Sequence, residues 1–534
     1  MLVPGDRPWF KFWPEGVTRH IDYPNIPLFE FLSSSCRRHP DKIAFSCQGN
    51  SLTYNELDIL TGKLASGLHN LGAGRQTSVV LLLPNSLEFV IGYYGILKAG
   101  SVVVPINPLF KTRELIHHLS DCGAIAIITD TDSYPIVREV KDEANLNTIV
   151  LTDSEGIEGT VSLQEVLARH PSTPPAFDLM PTEDVAAIEY TGGTTGLPHG
   201  VMLTHYNLVA NAIQNAVWLG WNDEDVVIGL LPFYHSWGAC TCVNSPVYCG
   251  ARVVVLPRFD IRELLRTIEE ERATILHGAG SMFTMLIDNP IITEYDLSSL
   301  KYVKAGAMPI PPAIKDRWEQ LTGVKMILGY GLSEASPETH NSPPQRVKSG
   351  SVGIPIIDTD ARIVDEETGE TELPPGEVGE LIIRGPQVMK AYLKRHKDSE
   401  EALRNGWLYT GDLALMDEEG YFYIVDRKKE IMKYKGYTIS PAEVEAILCA
   451  HPDVKECAVV GKPDALAGEI PKAYVVLRQG RTLCEEELIR FCEQQVSAYK
   501  KIREIEFVKE IPRSQAGKVL RRVLRDRNGG EITT

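Results

Sequence analysis

The sequence predicts an α/β protein, and three observations carry that prediction. Short β-branched and aliphatic runs recur, among them Ser78–Leu83 (SVVLLL), Ser101–Val104 (SVVV), Ala124–Ile128 (AIAII), Thr148–Leu151 (TIVL), Val226–Leu231 (VVIGLL) and Arg252–Leu256 (RVVVL). Such continuous apolar strands suit parallel sheets covered on both faces. Helix-like segments lie between them, such as Asn55–Leu71 and Ile261–Arg272, so the order reads as alternating strand and helix. After about residue 350 the texture changes. Ala361–Asp365, Gly379–Arg384 and Tyr421–Val425 are separated by turns rich in Gly, Pro and Glu, which predicts a small antiparallel β-subdomain. The dense charge run Asp426–Glu430 follows. Beyond it the spacing predicts helix Pro441–Cys449, strands Glu456–Val460 and Ala473–Leu477, and helix Glu485–Val496. A domain boundary is therefore expected at Asp426, giving domains 1–425 and 426–534.

The totals bound the function. A chain of 534 residues is too long for one core, since domains average about 150 residues. A net charge of −17 argues against nucleic acid as the main partner, because that affinity rests on excess Lys and Arg. The ten cysteines are scattered without a CxxC pair, which predicts free thiols in a reducing, cytoplasmic setting. The N-terminal MLVPGDRPWFKFWPEG lacks the charged and apolar regions of a secretory signal. No run of eighteen apolar residues occurs, so no transmembrane helix is predicted. The aromatic N-terminus could still touch a bilayer surface peripherally.

The stretch Tyr190–Gly200, YTGGTTGLPHG, concentrates four glycines and three threonines in eleven residues. Strand-like Val185–Glu189 precedes it, and a helix-like stretch starts at Thr204. Glycine permits close backbone approach, so successive N–H groups can converge on one cluster of oxygens. The threonine hydroxyls add donors, and a triphosphate is the natural ligand for so many uncharged ones. A Walker loop needs Gly-Lys followed by Ser or Thr, whereas His199-Gly200 is followed by Val201. Gly278-Ala-Gly280 and Gly329-Tyr-Gly331 lack the third glycine of a dinucleotide fingerprint.

The loop resembles the phosphate-binding motif of the adenylate-forming superfamily, YT[S/G]GTTGxPKG. Further segments resemble that family's motifs in order: Leu231–Gly238 (LPFYHSWG), Lys304–Met308 (KAGAM), Gly329–Glu334 (GYGLSE), Tyr409–Asp412 (YTGD), Asp426–Pro441 and Ile511–Lys518 (IPRSQAGK). The resemblance implies a large N-terminal domain of two doubly wound α/β subdomains plus a small β-barrel-like one. It also implies a small, mobile α+β C-terminal domain, with a hinge near 426–430 at Lys429. Two half-reactions are implied. A carboxylate attacks the α-phosphorus of ATP to give acyl-AMP and pyrophosphate, and the thiol of coenzyme A then displaces AMP. Both steps gather anions, so charge stabilisation and positioning dominate.

The same resemblance assigns residues. Thr191, Gly192, Gly193, Thr194, Thr195, Gly196 and His199 would surround the phosphates. Gly306, Ala307, Gly329, Tyr330 and Gly331 would line the adenine site, and Ser333 would offer a hydroxyl to the α-phosphate. Asp412 and Arg427 would hold the ribose, the carboxylate as a pure acceptor. Glu334 would hold Mg²⁺, a hard cation that takes one or two protein oxygens beside phosphate and water. Lys518 would bridge the attacking carboxylate and the α-phosphate. Lys433, Lys435 and Gly436 would serve thiol attack and the coenzyme A channel after domain rotation. His235 would gate the carboxylate site, and Tyr234, Gly278, Met282 and Met308 would line the acyl pocket. Taken singly, Glu334, Asp412, Arg427 and Lys518 are ordinary surface charges, and His235 could be a core histidine.

Small and apolar residues at 278–283 suit a hydrocarbon slot, and no aspartate stands ready for a substrate amine. The leading reading is a fatty acyl-CoA synthetase for medium or long chains. An aryl-CoA ligase, an acyl-AMP ligase that loads a carrier protein, and a non-catalytic nucleotide-binding relative stay open, as does a homodimer. His199 in place of the usual lysine is expected to lower ATP affinity modestly and make it pH-sensitive.

Overall fold

A computed structural model describes residues 7–154, 156–191, 198–307, 310–428, 430, 432–434, 437–464, 467–496, 500–513 and 519–527. The chain divides into two compact units. The larger comprises Met1–Gly306, Ile310–Asp360 and Ile383–Leu408; the smaller comprises Ala307–Pro309, Ala361–Ile382 and Tyr409–Thr534. The boundary expected at 426 falls inside the strand Phe422–Arg427.

Two sheets build the larger unit. One has nine strands, in the order Ile354–Pro355, Glu338–Asn341, Met326–Gly331, Tyr302–Gly306, Ile275–Ala279, Val226–Gly229, Arg252–Val255, Ile43–Cys47 and Asn50–Thr53. Its central pairs are parallel and its edges antiparallel. The other has eight strands, with Ser78–Leu82 between Val102–Pro105 and Ala124–Thr129, all parallel. Every residue of Ser78–Leu82 is buried, as its unbroken apolar run requires for a strand covered on both faces. Helices Tyr54–Asn70 and Leu87–Lys98 begin at side-chain caps from Thr53 and Ser86, which satisfy first-turn N–H groups.

The glycine-threonine stretch sits at the end of the eight-stranded sheet. Val185–Thr191 is followed by a second strand, His199–Thr204, before the helix His205–Leu219. The two strands pair antiparallel, with Tyr190 opposite Gly200 and Thr191 opposite His199. A second strand thus stands between the stretch and the helix, whereas the sequence led directly from loop to helix. Thr204 ends the second strand and caps the helix in a reciprocal box with Asn207.

A buried ion pair crosses the nine-stranded sheet. Lys304 on strand Tyr302–Gly306 meets Glu338 on strand Glu338–Asn341, and both side chains are under 5% exposed. Asn341 Nδ2 donates to the same carboxylate at 3.1 Å. The intervening strand passes close beneath. A Cβ at Gly329 would lie 2.5 Å from Asn341 Oδ1 and 2.9 Å from Lys304 Cε, and one at Gly331 would lie 2.1 Å from the Pro337 carbonyl oxygen. Glycine at 329 and 331 is therefore a packing requirement, whatever else the strand does.

The N-terminal aromatics have a packing role. Trp9 is buried, and Trp13 meets buried Trp218 edge-on at 4.9 Å. Arg19 and Arg346 lie over Phe10 and Phe12 at 4.4 and 4.2 Å. These contacts account for the rings without a bilayer. Among the described residues, no helix is long and apolar enough to cross a membrane.

In the smaller unit, strand Phe422–Arg427 pairs antiparallel with Trp407–Met416. A second sheet follows the order Tyr437–Ile439, Met432–Tyr434, Gly468–Leu477 and Val454–Asp464, with Glu504–Phe507 beside Gly468–Leu477. Helices Pro441–Cys449 and Glu485–Glu493 pack Val444, Leu448, Leu488 and Cys492 into its core. Arg521 is held between the carboxylates of Glu430 and Glu445.

Removing one partner of a buried ion pair strands the other charge, at about 3–5 kcal/mol. Lys304→Ala is therefore expected to lower the unfolding free energy measured in urea by that much. The double change Lys304→Met with Glu338→Leu should recover much of the loss.

Candidate functional site

Glu334 and Ser333 occupy a short 3-10 turn, Ser333–Ala335, just beyond strand Met326–Gly331. Glu334 is half-buried, and its Oε1 accepts a hydrogen bond from the Tyr392 hydroxyl at 2.9 Å. Its backbone carbonyl accepts from Met389 N at 2.8 Å. Among the described residues no lysine, arginine or histidine pairs with this carboxylate. On the other side, Ser333 Oγ lies 3.0 Å from Ser236 Oγ. Near Ser236 stands Glu189, a buried carboxyl on the strand Val185–Thr191. Burial pushes the Glu189 carboxyl up to about 8; the nearby Ser236 hydroxyl opposes the shift and the Glu334 charge adds to it. Among the described residues no cation pairs with this carboxyl, and burial favours its neutral form.

The strand ends flanking the stretch are tied to helix Thr112–Cys122. The Tyr190 hydroxyl donates to Asp121 Oδ2 at 2.8 Å, and His117 Nε2 lies 3.2 Å from the Pro198 carbonyl. His199 Nε2 lies 3.7 Å from Asp398, and its ring meets Tyr392 edge-on at 5.3 Å. Thr191 is half-buried at the entry.

The aromatic segment places His235 half-buried, with Nδ1 accepting from Trp237 N at 3.3 Å. That bond makes Nδ1 an acceptor. Tyr234 is half-buried, and burial raises its hydroxyl. Trp237 stacks on His277 at 6.0 Å, and its ring lies 3.3 Å from where a Cβ at Gly306 would stand. His277 is fully buried, and neither ring nitrogen has a partner among the described residues. Burial and the Lys304 charge hold it well below its ordinary value, hence neutral. Met282 folds back over Gly278, its Cε 2.0 Å from the position of a Cβ there. Ala307 adopts φ +66° directly after the strand Tyr302–Gly306, a left-handed conformation rare outside glycine. Tyr330 meets His340 at 5.8 Å.

In the smaller unit, Asp412 and Arg427 face each other across paired strands, Nε to Oδ1 3.0 Å, the aspartate buried and the guanidinium 44% exposed. Asp426 accepts hydrogen bonds from Ser440 Oγ and Ala442 N, anchoring the start of helix Pro441–Cys449. Lys433 stands opposite Thr438 in a strand pair. Gly192, Gly193, Thr194, Thr195, Gly196, Met308, Lys429, Lys435, Gly436 and Lys518 lie outside the described residues.

The "AMP-binding enzyme" family model matches residues 32–393, and the "AMP-binding enzyme C-terminal domain" matches 443–518. The chain belongs to the AMP-binding enzymes of the adenylate-forming superfamily. It is 39% identical to a long-chain-fatty-acid–CoA ligase of Bacillus subtilis, over 97% of each chain. Among solved structures, an anthranilate CoA ligase in complex with anthranoyl-AMP shares 28% identity, TM-score 0.88, over 95% of this chain and 98% of that one. ATP-bound MatB from Rhodopseudomonas palustris shares 28% identity, TM-score 0.87, over 94% and 99%. The α/β architecture is that of these adenylating enzymes.

Several residues packed around this turn and these strand ends escaped the sequence reading. Tyr392, Glu189, Ser236 and His117 lie far apart in the chain and meet through the two sheets, so no local spacing marks them. Only the lone Glu189 inside an apolar strand carried a signal.

A group raised in the folded state but ordinary when unfolded makes folding take up a proton. Below the unfolded value of 4.5 both states are protonated, and Glu189 costs nothing. Stability then falls as pH rises toward about 8, by about 1.4 kcal/mol per unit at most. Glu189→Gln is expected to match the wild type near pH 5. It should gain on it by up to a few kcal/mol by pH 8, in urea unfolding followed across that range.

Proposed function

We propose that the protein is an ATP-dependent, AMP-forming acyl-CoA synthetase. It makes acyl-AMP from a medium- or long-chain fatty acid, then acyl-CoA with release of AMP. The carrying observation is the turn that presents the Ser333 hydroxyl and a Glu334 carboxylate without a paired cation among the described residues, in a chain alignable almost end to end with a fatty-acid ligase.

In the first half-reaction a carboxylate oxygen bonds to the α-phosphorus and the bond to pyrophosphate breaks; no proton moves. The residues 191–199 stretch supplies uncharged donors to the phosphates, Ser333 meets the α-phosphate, and Asp412 with Arg427 binds the ribose. Lys518 sets its ammonium between the two anions. Glu334 fits Mg²⁺: it is an oxygen donor, oriented by Tyr392, with no cation paired to it among the described residues. Among the described residues no cluster of three potential ligands exists, which suits an ion completed by phosphate and water. Bound Mg²⁺ supplies neutralisation of phosphate charge. In the second half-reaction the coenzyme A sulfur, losing its proton, bonds to the acyl carbon, and the acyl–phosphate bond breaks. Lys433, Lys435 and Gly436 face that step, and Lys429 serves the hinge between domains. His235 gates the carboxylate, and Tyr234, Gly278, Met282 and Met308 line the acyl slot. Ten free thiols suit a reducing compartment, so the reading places the enzyme in the cytoplasm.

An aryl acid is the second reading, favoured by the likeness to the anthranilate ligase. Steady-state rates over C2 to C18 and aryl acids, with and without coenzyme A, test both. AMP release indifferent to coenzyme A would exclude thioester formation.

Lys518→Ala is expected to slow acyl-AMP formation about 10²–10³-fold, the worth of a lost charge-stabilising donor. Thioester formation from supplied acyl-AMP should persist. Equal loss of both would refute the separation of roles. His199→Lys is expected to lower the KM for ATP roughly two- to fivefold, the worth of one partly exposed charge. An unchanged KM would take position 199 out of phosphate contact.

A further inference from the structure

We infer that Cys449 and Cys457 form an oxidisable dithiol, a modification site at which a peroxide converts two free thiols into one intramolecular disulfide. The site is independent of the adenylation chemistry proposed above.

Both residues lie in the smaller unit. Cys449 is the last residue of helix Pro441–Cys449 and is exposed. Cys457 is buried on strand Val454–Asp464, in the core against which that helix packs. Their sulfurs are 3.4 Å apart. Cys457 Sγ also lies 3.5 Å from the carbonyl oxygen of Glu445, one helical turn before Cys449, so it is turned toward the helix end. The eight-residue separation is already closed by a turn, where Val454 N donates to the His451 carbonyl at 3.1 Å. Among the described residues no other two thiols are hydrogen-bonded to each other. Cys484 is also exposed and has no such partner among them.

Atoms about 3–3.5 Å apart stand at the distance of a near-attack geometry. A disulfide bond of about 2.05 Å is about 1.4 Å shorter than this contact. Exposure decides the order of events, since a peroxide reaches Cys449 first. The thiolate is the reactive form. A hydrogen bond from the Cys457 thiol holds Cys449 below its ordinary value, and the same bond, with burial, holds Cys457 well above its own.

The Cys449 sulfur bonds to one peroxide oxygen and the O–O bond breaks. The leaving hydroxide takes up the thiol's proton as water, and Cys449 becomes a sulfenic acid. The Cys457 sulfur then bonds to the Cys449 sulfur and the S–O bond breaks. The Cys457 proton leaves with the hydroxyl as a second water. The dithiol has given up two electrons, and the peroxide has accepted them. A sulfenic acid in contact with a thiol is captured before more oxidant drives it to the irreversible sulfinic acid. A transient bridge of this kind suits a reducing compartment, where small thiols restore the dithiol by exchange.

The test treats the intact protein with a small molar excess of hydrogen peroxide, then counts free thiols and maps tryptic peptides without reduction. Trypsin cuts after Lys455, between the two cysteines, so a bridge joins two peptides. The wild type is expected to lose two of its ten thiols, to yield that joined pair, and to run as a single chain on a non-reducing gel. Dithiothreitol should restore both thiols. Cys457→Ser should stop at a sulfenic acid on Cys449 that dimedone traps, and pass to the sulfinic acid with more peroxide. Cys449→Ser should leave the Cys457 thiol free at the same dose. A bridge to any other cysteine, a disulfide between two chains through Cys449, sulfinic acid at Cys449 of the wild type without a bridge, or both thiols still free overturns the site. The wild-type map decides it even if a variant fails to fold.

Discussion

The Lys304–Glu338 ion pair is the constraint on which the larger unit's site depends. A cation and a carboxylate buried in the middle of a sheet are tolerable only when each is the other's partner and the remaining lone pairs are met. Asn341 Nδ2 donates to the carboxylate, and Asn211 holds the backbone of Glu338 in place. The pair spans the strand Met326–Gly331 and leaves it no room for a side chain at Gly329. The strand's end is thereby fixed, and with it the turn that carries Ser333 and Glu334. The same Lys304 charge, together with burial, keeps His277 neutral, so the floor beneath Trp237 stays uncharged. One interaction thus shapes both the anion-facing turn and the apolar ground beside it.

The turn is gripped from two sides by different chemistry. Tyr392 holds the Glu334 carboxylate through a hydroxyl donor, leaving the other oxygen for a cation. Ser236 holds Ser333 through a hydroxyl that can either give or take a hydrogen. The first contact fixes a direction; the second leaves either serine free to donate.

Much of this was legible in the sequence, for physical reasons that can be named. Strands such as Thr148–Leu151 and the helix Pro441–Cys449 fall where their apolar runs and caps put them, because burial on both faces leaves little choice of register. The strand His199–Thr204 was not legible. It is one six-residue strand of a hairpin, stabilised by pairing with Val185–Thr191 and Ala391–Tyr392 and not by its own pattern. The family motifs pointed to Ser333, Glu334, Asp412 and Arg427, and the structure gives each a defined neighbour. Motifs record residues, however, and not the groups that orient them. Tyr392 comes 58 positions after its partner Glu334, and Ser236, on the short helix Ser236–Gly238, lies 97 positions before Ser333. Contacts of that kind arise from topology.

His199 can now be weighed by what surrounds it. The residue stands opposite Thr191, where the hairpin closes, so its backbone is fixed whatever its side chain. A lysine there would put a mobile point charge on a four-carbon stem, free to follow a phosphate. The imidazole is short and planar, and it lies edge-on against Tyr392 with Asp398 nearby. Such ring pairs contribute roughly 0.5–1.5 kcal/mol beyond their burial. They also restrict the partner ring, and that ring carries the hydroxyl that orients Glu334. The exchange therefore removes charge from the phosphate loop while stiffening the carboxylate proposed to meet the cation. A loss in ATP attraction and a gain in orientation act on different quantities, the first on binding and the second on the rate after binding. That is why a departure at the motif's most conspicuous charge is compatible with the proposed adenylation.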